Sequence, residues 1–170
     1  MIGIVDYNAG NITSVEHALS SLKAEFILSK NPSELEKCDR LIFPGVGDAD
    51  YAMKQLKLTG FDSFLKDWAK ADKPLVGICL GSQIIFDFSE EGNVECLGLL
   101  EGSIRHFNSV WKERHPDEKE HEQMAMLYNT LKIPHMGWND ITYCNGSSRL
   151  LEGVPEGSDF YFVHSYLIQP

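Results

Sequence analysis

The stretch that most constrains the fold is K-P-L-V-G-I-C-L-G-S-Q, which runs from Lys73 to Gln83. An apolar run too short for a helix leads into Cys79, and glycines stand two residues before it and two residues after it. This pattern is typical of a buried strand that turns abruptly into a helix, with the cysteine at the apex of the turn. Gly77 and Gly81 would let the two backbones approach where a Cβ atom would clash. The sequence therefore predicts that Cys79 projects from the top of a sheet.

A cysteine in that position is suited to nucleophilic chemistry. Its sulfur would lie at a helix N-terminus, where free N–H groups favour the thiolate, the nucleophilic form. The amide of Leu80 would point the same way and could hold a developing oxyanion. The alternative is a buried cysteine that acts as a small apolar filler. The two flanking glycines favour Cys79 as the nucleophile.

Size and charge restrict the remaining possibilities. A chain of 170 residues with 43% hydrophobic residues is expected to form one globular domain over residues 1–170. The net charge of -10 disfavours nucleic acid and anionic membrane as partners. No apolar run is long enough to cross a bilayer, and no leader opens the chain, so we expect a cytoplasmic protein.

The other cysteines and the histidines of a charged stretch give no metal signal. Cys38, Cys96 and Cys144 form no C-x-x-C pair with Cys79 or with one another, which argues against a zinc site or a disulfide framework. His115 and His121 lie in a charged stretch within residues 108–131. They could be metal ligands, but without a further ligand pattern the stretch is interpreted as a solvated loop or short helix.

Strand and helix patterns alternate through the first half of the chain. This alternation predicts an α/β fold with an open, mostly parallel sheet flanked by helices. Strands are predicted at Met1–Val5, Phe26–Leu28, Leu41–Phe43 and directly before Cys79. The first helix is predicted from the apolar spacing of Val15, Ala18, Leu19 and Leu22, and a short second helix is predicted after Asn31. Further helices are predicted at Tyr51–Leu58, at Phe61–Trp68, and after Cys79 through Ile84, Ile85 and Phe88. In the second half, strands are predicted around Ser103–Phe107, Asn139–Tyr143 and Phe160–Ile168. Their short connections indicate an antiparallel extension.

Three loops follow strands of the parallel sheet and should meet at one edge. They are Asp6–Asn11, Pro44–Gly47 and the turn at Cys79, and ligands of open α/β sheets bind at this edge. The Pro44–Gly47 loop would supply backbone N–H groups as a second oxyanion donor, although it could be an ordinary turn. Asn11 could simply cap the first helix.

These segments carry a family resemblance. The Gly77–Gln83 elbow resembles that of class I glutamine amidotransferases, whose fold is flavodoxin-like. Four further segments occur in the same order: D-Y-N-A-G-N at Asp6–Asn11, F-P-G-V-G at Phe43–Gly47, P-H-M-G-W-N at Pro134–Asn139 and Y-F-V-H-S-Y at Tyr161–Tyr166. Together they resemble the glutaminase subunits of imidazole glycerol phosphate synthase, in histidine biosynthesis.

The resemblance implies an activity and a set of residue roles. Cys79 would attack the side-chain amide of glutamine, form a thioester, expel ammonia and be freed by water, with no cofactor or metal. The implied oxyanion hole is Gly45, Val46, Gly47 and Leu80; the implied glutamine-binding residues are Gly47, Gln83, Ser165 and Tyr166. Ammonia would pass to a (β/α)-barrel cyclase subunit that makes imidazole glycerol phosphate and AICAR. The implied docking face for that partner is Tyr7, Asn8, Asn11, Met136, Trp138 and Tyr161.

Residue type alone would place Met136 and Trp138 in a core, and His164 is interpreted as structural rather than as the base. The family's base and its orienting carboxylate come from a His-Pro-Glu segment that this sequence lacks. The string His115-Pro116-Asp117 lies too early in the chain to replace it. Without a positioned acid the leaving amine is not protonated, so we expect the chain as written to be a poor glutaminase alone. A C-terminally incomplete subunit is favoured over a degenerate paralogue, because the sheet would otherwise end on an uncovered edge.

Other functions are open at this point. A paralogue could supply ammonia for surface-sugar biosynthesis, or the fold could be a non-catalytic module that binds a partner. A cysteine hydrolase or peptidase follows from the elbow alone. The Pro134–Asn139 motif argues against that last alternative.

Overall fold

A computed structural model describes residues 1–114, 133–144 and 149–170 of the chain. These residues group into two compact units, each described here by itself. The first unit comprises Met1–Arg105 and Ile168–Pro170, and the second comprises His106–Leu167. The expectation of one domain over residues 1–170 stays a prediction.

The first unit contains a four-stranded parallel sheet with the order β2-β1-β3-β4. Its strands are β1 (Ile2–Val5), β2 (Phe26–Ser29), β3 (Arg40–Gly45) and β4 (Leu75–Cys79). Five helices alternate with them, namely α1 (Ile12–Ser21), α2 (Pro32–Leu35), α3 (Ala49–Thr59), α4 (Phe61–Lys70) and α5 (Leu80–Gln83). The predicted α/β fold with a mostly parallel sheet is confirmed.

Several element boundaries differ from the predicted ones. The helix predicted to run from Cys79 through Phe88 ends at Gln83. A turn follows Gln83 in place of the rest of the predicted helix, and Ile84 in this turn is fully buried. Packing of the Ile84 side chain therefore ends the helix early. Helix α1 ends at Ser21, which leaves Leu22 outside it and 74% exposed rather than on the buried face.

A second, mixed sheet has the order β10-β7-β5-β6. Its strands are β5 (Phe88–Ser89), β6 (Val94–Glu95), β7 (Ser103–His106) and β10 (Tyr166–Gln169), and a 3-10 turn at Glu91–Asn93 joins the first two. Strands β5 and β6 are antiparallel, whereas β5 and β7 are parallel.

The second unit contains helix α6 (Phe107–Arg114), a 3-10 turn (Arg149–Leu151) and an antiparallel pair of strands, β8 (His135–Asp140) and β9 (Asp159–His164). The antiparallel extension is confirmed, but two predicted strands are misplaced. The strand expected at Asn139–Tyr143 lies earlier, because alternation from His135 onward matches the register of β9. The strand expected at Phe160–Ile168 is broken at Ser165 into β9 and β10.

The core of the first unit joins strands β1 and β3 to helices α3 and α4. Phe43 of β3 and Leu56, Phe61 and Leu65 of the helices are all fully buried. Apolar burial of this kind is the main favourable term in folding. This packing holds the carboxyl ends of the strands in place, and the loops that carry the candidate site residues begin at those ends.

The charged stretch lies mostly outside the described residues. His115, His121 and the string His115-Pro116-Asp117 are among those not described, while helix α6 carries the start of the stretch, with Val110 buried. Within residues 1–114, 133–144 and 149–170, no group of three or more His, Cys, Asp or Glu side chains is arranged to hold a metal ion. No helix in those ranges is long and apolar enough to cross a membrane.

Candidate active site

The site is organised by a strained turn at Cys79. Cys79 ends β4 with φ 55° and ψ −121°, and its side chain is exposed. L-residues rarely adopt this conformation, which is found mainly where the surrounding structure enforces it at functional positions. The predicted projection of Cys79 from the end of the sheet is confirmed, and the apolar-filler alternative is wrong.

Both flanking glycines are required by close backbone contacts. A Cβ atom at Gly81 would lie 2.0 Å from the carbonyl oxygen of Phe43. One at Gly77 would lie 2.6 Å from the backbone nitrogen of Ser82. The predicted reason for the two glycines is therefore confirmed.

Helix α5, after the nucleophile, is a single turn. Ser82 Oγ donates a hydrogen bond of 2.7 Å to the carbonyl oxygen of Cys79, which braces the turn. Because the helix stops at Gln83, negative charge at the sulfur would be stabilised by the local N–H groups of this turn rather than by a long helix dipole. Gln83 lies four residues after Cys79, and its side chain is half-buried.

The three predicted loops meet at one edge of the sheet. Strand β3 lies between β1 and β4 in parallel register, so their carboxyl ends are neighbours. A Cβ atom at Gly10 would lie 3.4 Å from Cγ of Pro44, which puts the Asp6–Asn11 loop against the Pro44–Gly47 loop. The predicted juxtaposition is confirmed.

The candidate oxyanion residues lie beside the elbow. Gly45 is the last residue of β3 and is paired in register with Cys79. Val46 is 45% exposed, and Gly47 has a φ of +88°, a backbone conformation that favours glycine. The side chain of Leu80 is buried, while its amide begins the turn after the sulfur. Their role as oxyanion donors stays a prediction.

Tyr7 corrects the predicted docking face. Its side chain is fully buried, and its ring packs on Phe43 with the ring centroids 5.2 Å apart. The side chain thus belongs to the core and cannot touch a partner. The docking role was implied by the family resemblance, which matches residue positions and does not show that the loop packs this ring against Phe43 of β3.

Asn8 and Asn11 lie at the surface. Asn8 adopts a φ of 67° and accepts a 2.7 Å hydrogen bond from Nζ of Lys30 on its Oδ1. Asn11 occupies the N-cap position of α1, but its side chain makes no capping hydrogen bond. Both residues are exposed, and their role in docking stays a prediction.

In the second unit, the β8–β9 hairpin carries an exposed apolar face. Trp138 pairs with Tyr161 in the register of the strands, and their rings meet edge to face at 5.5 Å. The exposed fractions of Met136, Trp138 and Tyr161 are 61%, 68% and 54%. The alternative that places Met136 and Trp138 in a core is therefore wrong.

The segment after this hairpin holds the remaining predicted residues. Ser165 accepts a 3.1 Å hydrogen bond on its carbonyl oxygen from the amide of Phe107. His164 forms a 2.8 Å hydrogen bond through Nδ1 to the carbonyl oxygen of Tyr166, which fits the predicted structural role. Gly47 and Gln83 belong to the first unit, and Ser165 and Tyr166 to the second, so their joint binding of one ligand stays a prediction.

Sequence reasoning missed Glu91. Burial and, next, the negative charge of Asp48 raise the pKa of the Glu91 carboxyl, while a hydrogen bond from the amide of Ala49 opposes the rise. Asp48 follows Gly47 directly and caps α3 by accepting from the amide of Tyr51 at 3.0 Å. The two carboxylates of Asp48 and Glu91 therefore repel each other close in sequence to Gly47. The only sequence signal is an ordinary acidic dipeptide, Glu90-Glu91.

A strained, exposed cysteine on a glycine-flanked elbow, at the carboxyl edge of a parallel sheet, is the arrangement of an acyl-transferring cysteine enzyme. Residues 3–170 match the glutamine amidotransferase class-I family. The chain belongs to that family.

Within it, the chain is similar to curated HisH sequences. The chain is 44% identical to "Imidazole glycerol phosphate synthase subunit HisH" of Halalkalibacterium halodurans, over 99% of this chain and 72% of the relative. It is 41% identical to the protein of the same name from Nitratidesulfovibrio vulgaris, over 100% of this chain and 74% of the relative. These relatives place the chain among the HisH members of the family.

Solved structures agree on the fold. A candidate GMP synthase protein from Thermoplasma acidophilum superposes with a TM-score of 0.57 at 20% identity, covering 98% of this chain and 65% of that one. A glutamine amidotransferase superposes with a TM-score of 0.54 at 21% identity, covering 62% of this chain and 56% of that one. At such identities the likeness concerns the fold alone.

Proposed function

We propose that this protein is the glutaminase subunit of imidazole glycerol phosphate synthase. It would hydrolyse glutamine to glutamate and ammonia, and would hand the ammonia to a (β/α)-barrel cyclase subunit in a cytoplasmic heterodimer, whose overall reaction is that of a lyase. The observation that carries the proposal is the conformation of Cys79, which holds an exposed sulfur at the edge where the three loops meet. The choice of imidazole glycerol phosphate synthase as the particular synthase rests on the names of the relatives.

The proposed chemistry begins with attack of the Cys79 sulfur on the side-chain amide carbon of glutamine. Negative charge moves to the amide oxygen, where the amides of Leu80 and of the Gly45–Gly47 segment would stabilise it. The leaving nitrogen takes up, through solvent, the proton that the Cys79 thiol lost, and the carbon–nitrogen bond then breaks to release ammonia. A thioester remains on Cys79 until water adds to it, which releases glutamate and restores the thiol. Because the sequence supplies no positioned acid for this proton transfer, we expect the step to be slow in the chain alone.

The test of this activity is covalent labelling by a diazo-ketone analogue of glutamine. The diazo carbon takes up a proton and the Cys79 sulfur displaces N2 from it, which leaves a stable thioether that needs no later step. Peptide mass spectrometry should locate the adduct on Cys79, and an excess of glutamine should prevent it. The analogue that is one methylene shorter serves as the matched control and should label more slowly. Absence of a glutamine-protected adduct on Cys79 would overturn the glutaminase proposal.

The partner is tested separately. The exposed face formed by Met136, Trp138, Tyr161 and Val163, called here the hairpin face, would cover part of the barrel subunit. Mixing the chain with a barrel cyclase subunit should give a stable complex in size-exclusion chromatography. Labelling of Cys79 without such a complex would favour the surface-sugar paralogue, and a complex without labelling would favour a non-catalytic binding module.

A further inference from the structure

Tyr7 presents a hydroxyl group that the core does not explain. Its side chain is fully buried, yet its Oη has no hydrogen-bond partner among the described residues. Burying a hydroxyl without a partner is unfavourable, because the group gives up its hydrogen bonds to water and regains none. A phenylalanine would fill the same space and pack on Phe43 without this penalty.

The position of the hydroxyl relates it to the elbow. A Cβ atom placed on Gly45 would lie 2.9 Å from Oη of Tyr7, 2.6 Å from the backbone nitrogen of Gly81 and 3.0 Å from Cβ of Leu80. The phenol oxygen and the turn after Cys79 therefore approach the same small space from different sides. Only the absent side chain of Gly45 leaves that space open.

Electrostatics keeps this hydroxyl protonated. Burial, and after it the negative charge of Cys79, raises the pKa of the Tyr7 phenol. The group thus retains its proton at neutral pH, and the hydroxyl hydrogen can rotate toward an acceptor. A neutral O–H dipole close to the elbow can lower the energy of negative charge there, since a low-dielectric surrounding strengthens such interactions.

We propose that Tyr7 is a positioning residue of this site: its hydroxyl is held unpaired beneath Gly45 and Gly81 and turns its hydrogen toward the elbow when negative charge develops at Cys79. The proposal deepens the proposed function and rests on it only in taking Cys79 as the nucleophile. It assigns to the loop tyrosine a role in stabilising charge in place of a role in docking.

The experiment is the rate of alkylation of Cys79 by iodoacetamide as a function of pH in the full chain. Cys144, the other exposed cysteine, is replaced by serine in every variant, and the Cys79 peptide is followed by mass spectrometry. Tyr7→Phe should slow alkylation near neutral pH by about threefold to tenfold, the range expected for loss of a hydrogen bond to a charged group. The rates should converge at high pH, where the sulfur is fully ionised. Tyr51→Phe, which removes a hydroxyl from a half-exposed helix residue, should leave the profile unchanged.

Two further results keep the proposal open to contradiction. Identical pH profiles for Tyr7→Phe and its parent would overturn it. So would a large loss of stability in urea unfolding of Tyr7→Phe, because the hydroxyl would then already have a partner in the resting protein. A fluorinated tyrosine at position 7, a stronger donor of nearly the same shape, should instead speed alkylation near neutral pH.

The outcome is independent of the glutaminase assignment. Iodoacetamide needs no glutamine site, so a shifted profile would support the role of Tyr7 even if the diazo-ketone analogue failed to label Cys79. Conversely, normal glutamine-protected labelling with an unshifted profile would leave the glutaminase proposal standing and remove the role of Tyr7.

Discussion

Gly81 in the first unit and Gly137 in the second differ in what surrounds them. A Cβ atom at Gly81 would lie 2.0 Å from a backbone oxygen, whereas a Cβ atom at Gly137 would have no heavy atom of the described residues within 4 Å, apart from its chain neighbours. The elbow is thus defined by backbones in contact, whereas the hairpin face consists of the exposed side chains of Met136, Trp138, Tyr161 and Val163. Backbone crowding fixes the position of a reacting atom, while an open apolar face is suited to being covered by another molecule.

The largest expected effect is the difference in unfolding free energy between an alanine substitution at Gly81 and one at Gly137. Gly81→Ala forces β3 and the elbow apart, and we expect it to cost about 3 kcal/mol or more of unfolding free energy. Gly137→Ala should change stability by less than about 1 kcal/mol, because open space receives the methyl group. Urea unfolding of the two variants makes the comparison, and similar losses would contradict the assigned crowding.

The next effect concerns the hairpin face. Trp138→Ala should lower the unfolding free energy by about 1 kcal/mol or less, through loss of the edge-to-face contact with Tyr161. It should weaken binding to the barrel subunit by about 2 kcal/mol or more, as expected for a central aromatic contact. Leu58→Ala is the matched control, because Leu58 is 79% exposed in the first unit and belongs to no predicted interface. Isothermal titration calorimetry measures both. Equal weakening by the two variants would remove the hairpin face as the docking site.

A smaller effect should report the strain at Cys79. Glycine tolerates the backbone conformation of residue 79, whereas alanine keeps its strain, so Cys79→Gly should be more stable than Cys79→Ala. We expect a difference of about 1 kcal/mol after allowing for the greater chain entropy of unfolded glycine. Thermal and urea unfolding of the pair should agree. Greater stability of the alanine variant would show that the turn is relaxed.

The smallest effect should appear at Glu91. A carboxyl whose pKa is raised in the folded protein is least favourable when ionised, so its unfavourable contribution is present at neutral pH and disappears as the pH falls through the raised pKa toward the ordinary value. Glu91→Gln keeps an acceptor for the amide of Ala49, and should raise stability at pH 7 by about 0.5 kcal/mol after solvent screening. The gain should vanish near pH 4 in urea unfolding. If the stability gained by Glu91→Gln increased as the pH fell, the predicted sign would be wrong.

The parts of the fold that local pattern controls could be predicted from the sequence. The alternation of short apolar runs with amphipathic segments indicated helices α3 and α4 and the parallel strands to within a few residues. The glycines on either side of Cys79 indicated the elbow, since few other local structures require glycine at both offsets. The end of α5 could not be predicted, because it depends on the burial of Ile84 against residues distant in sequence.

The site was predicted less evenly than the fold. Cys79 and the meeting of the three loops follow from the rule that parallel strands end at a common edge. Tyr7 was assigned wrongly and Glu91 was missed, because the environment of each side chain depends on the direction in which its loop turns it. A tyrosine in a polar loop and a glutamate in an acidic pair look the same in sequence whether buried or exposed.

The sequence by itself determined the chemistry available to this protein: a cysteine on a turn that two glycines permit, together with further motifs that resemble those of glutamine amidotransferases. Only the tertiary structure decided the environment of each group, including the burial of the Tyr7 hydroxyl beneath Gly45 and the exposure of Trp138. The physical reason is the distance along the chain over which each interaction acts. Backbone conformation is restricted by sterics between neighbours in the chain, whereas burial and charge interactions depend on residues that folding brings together from distant segments.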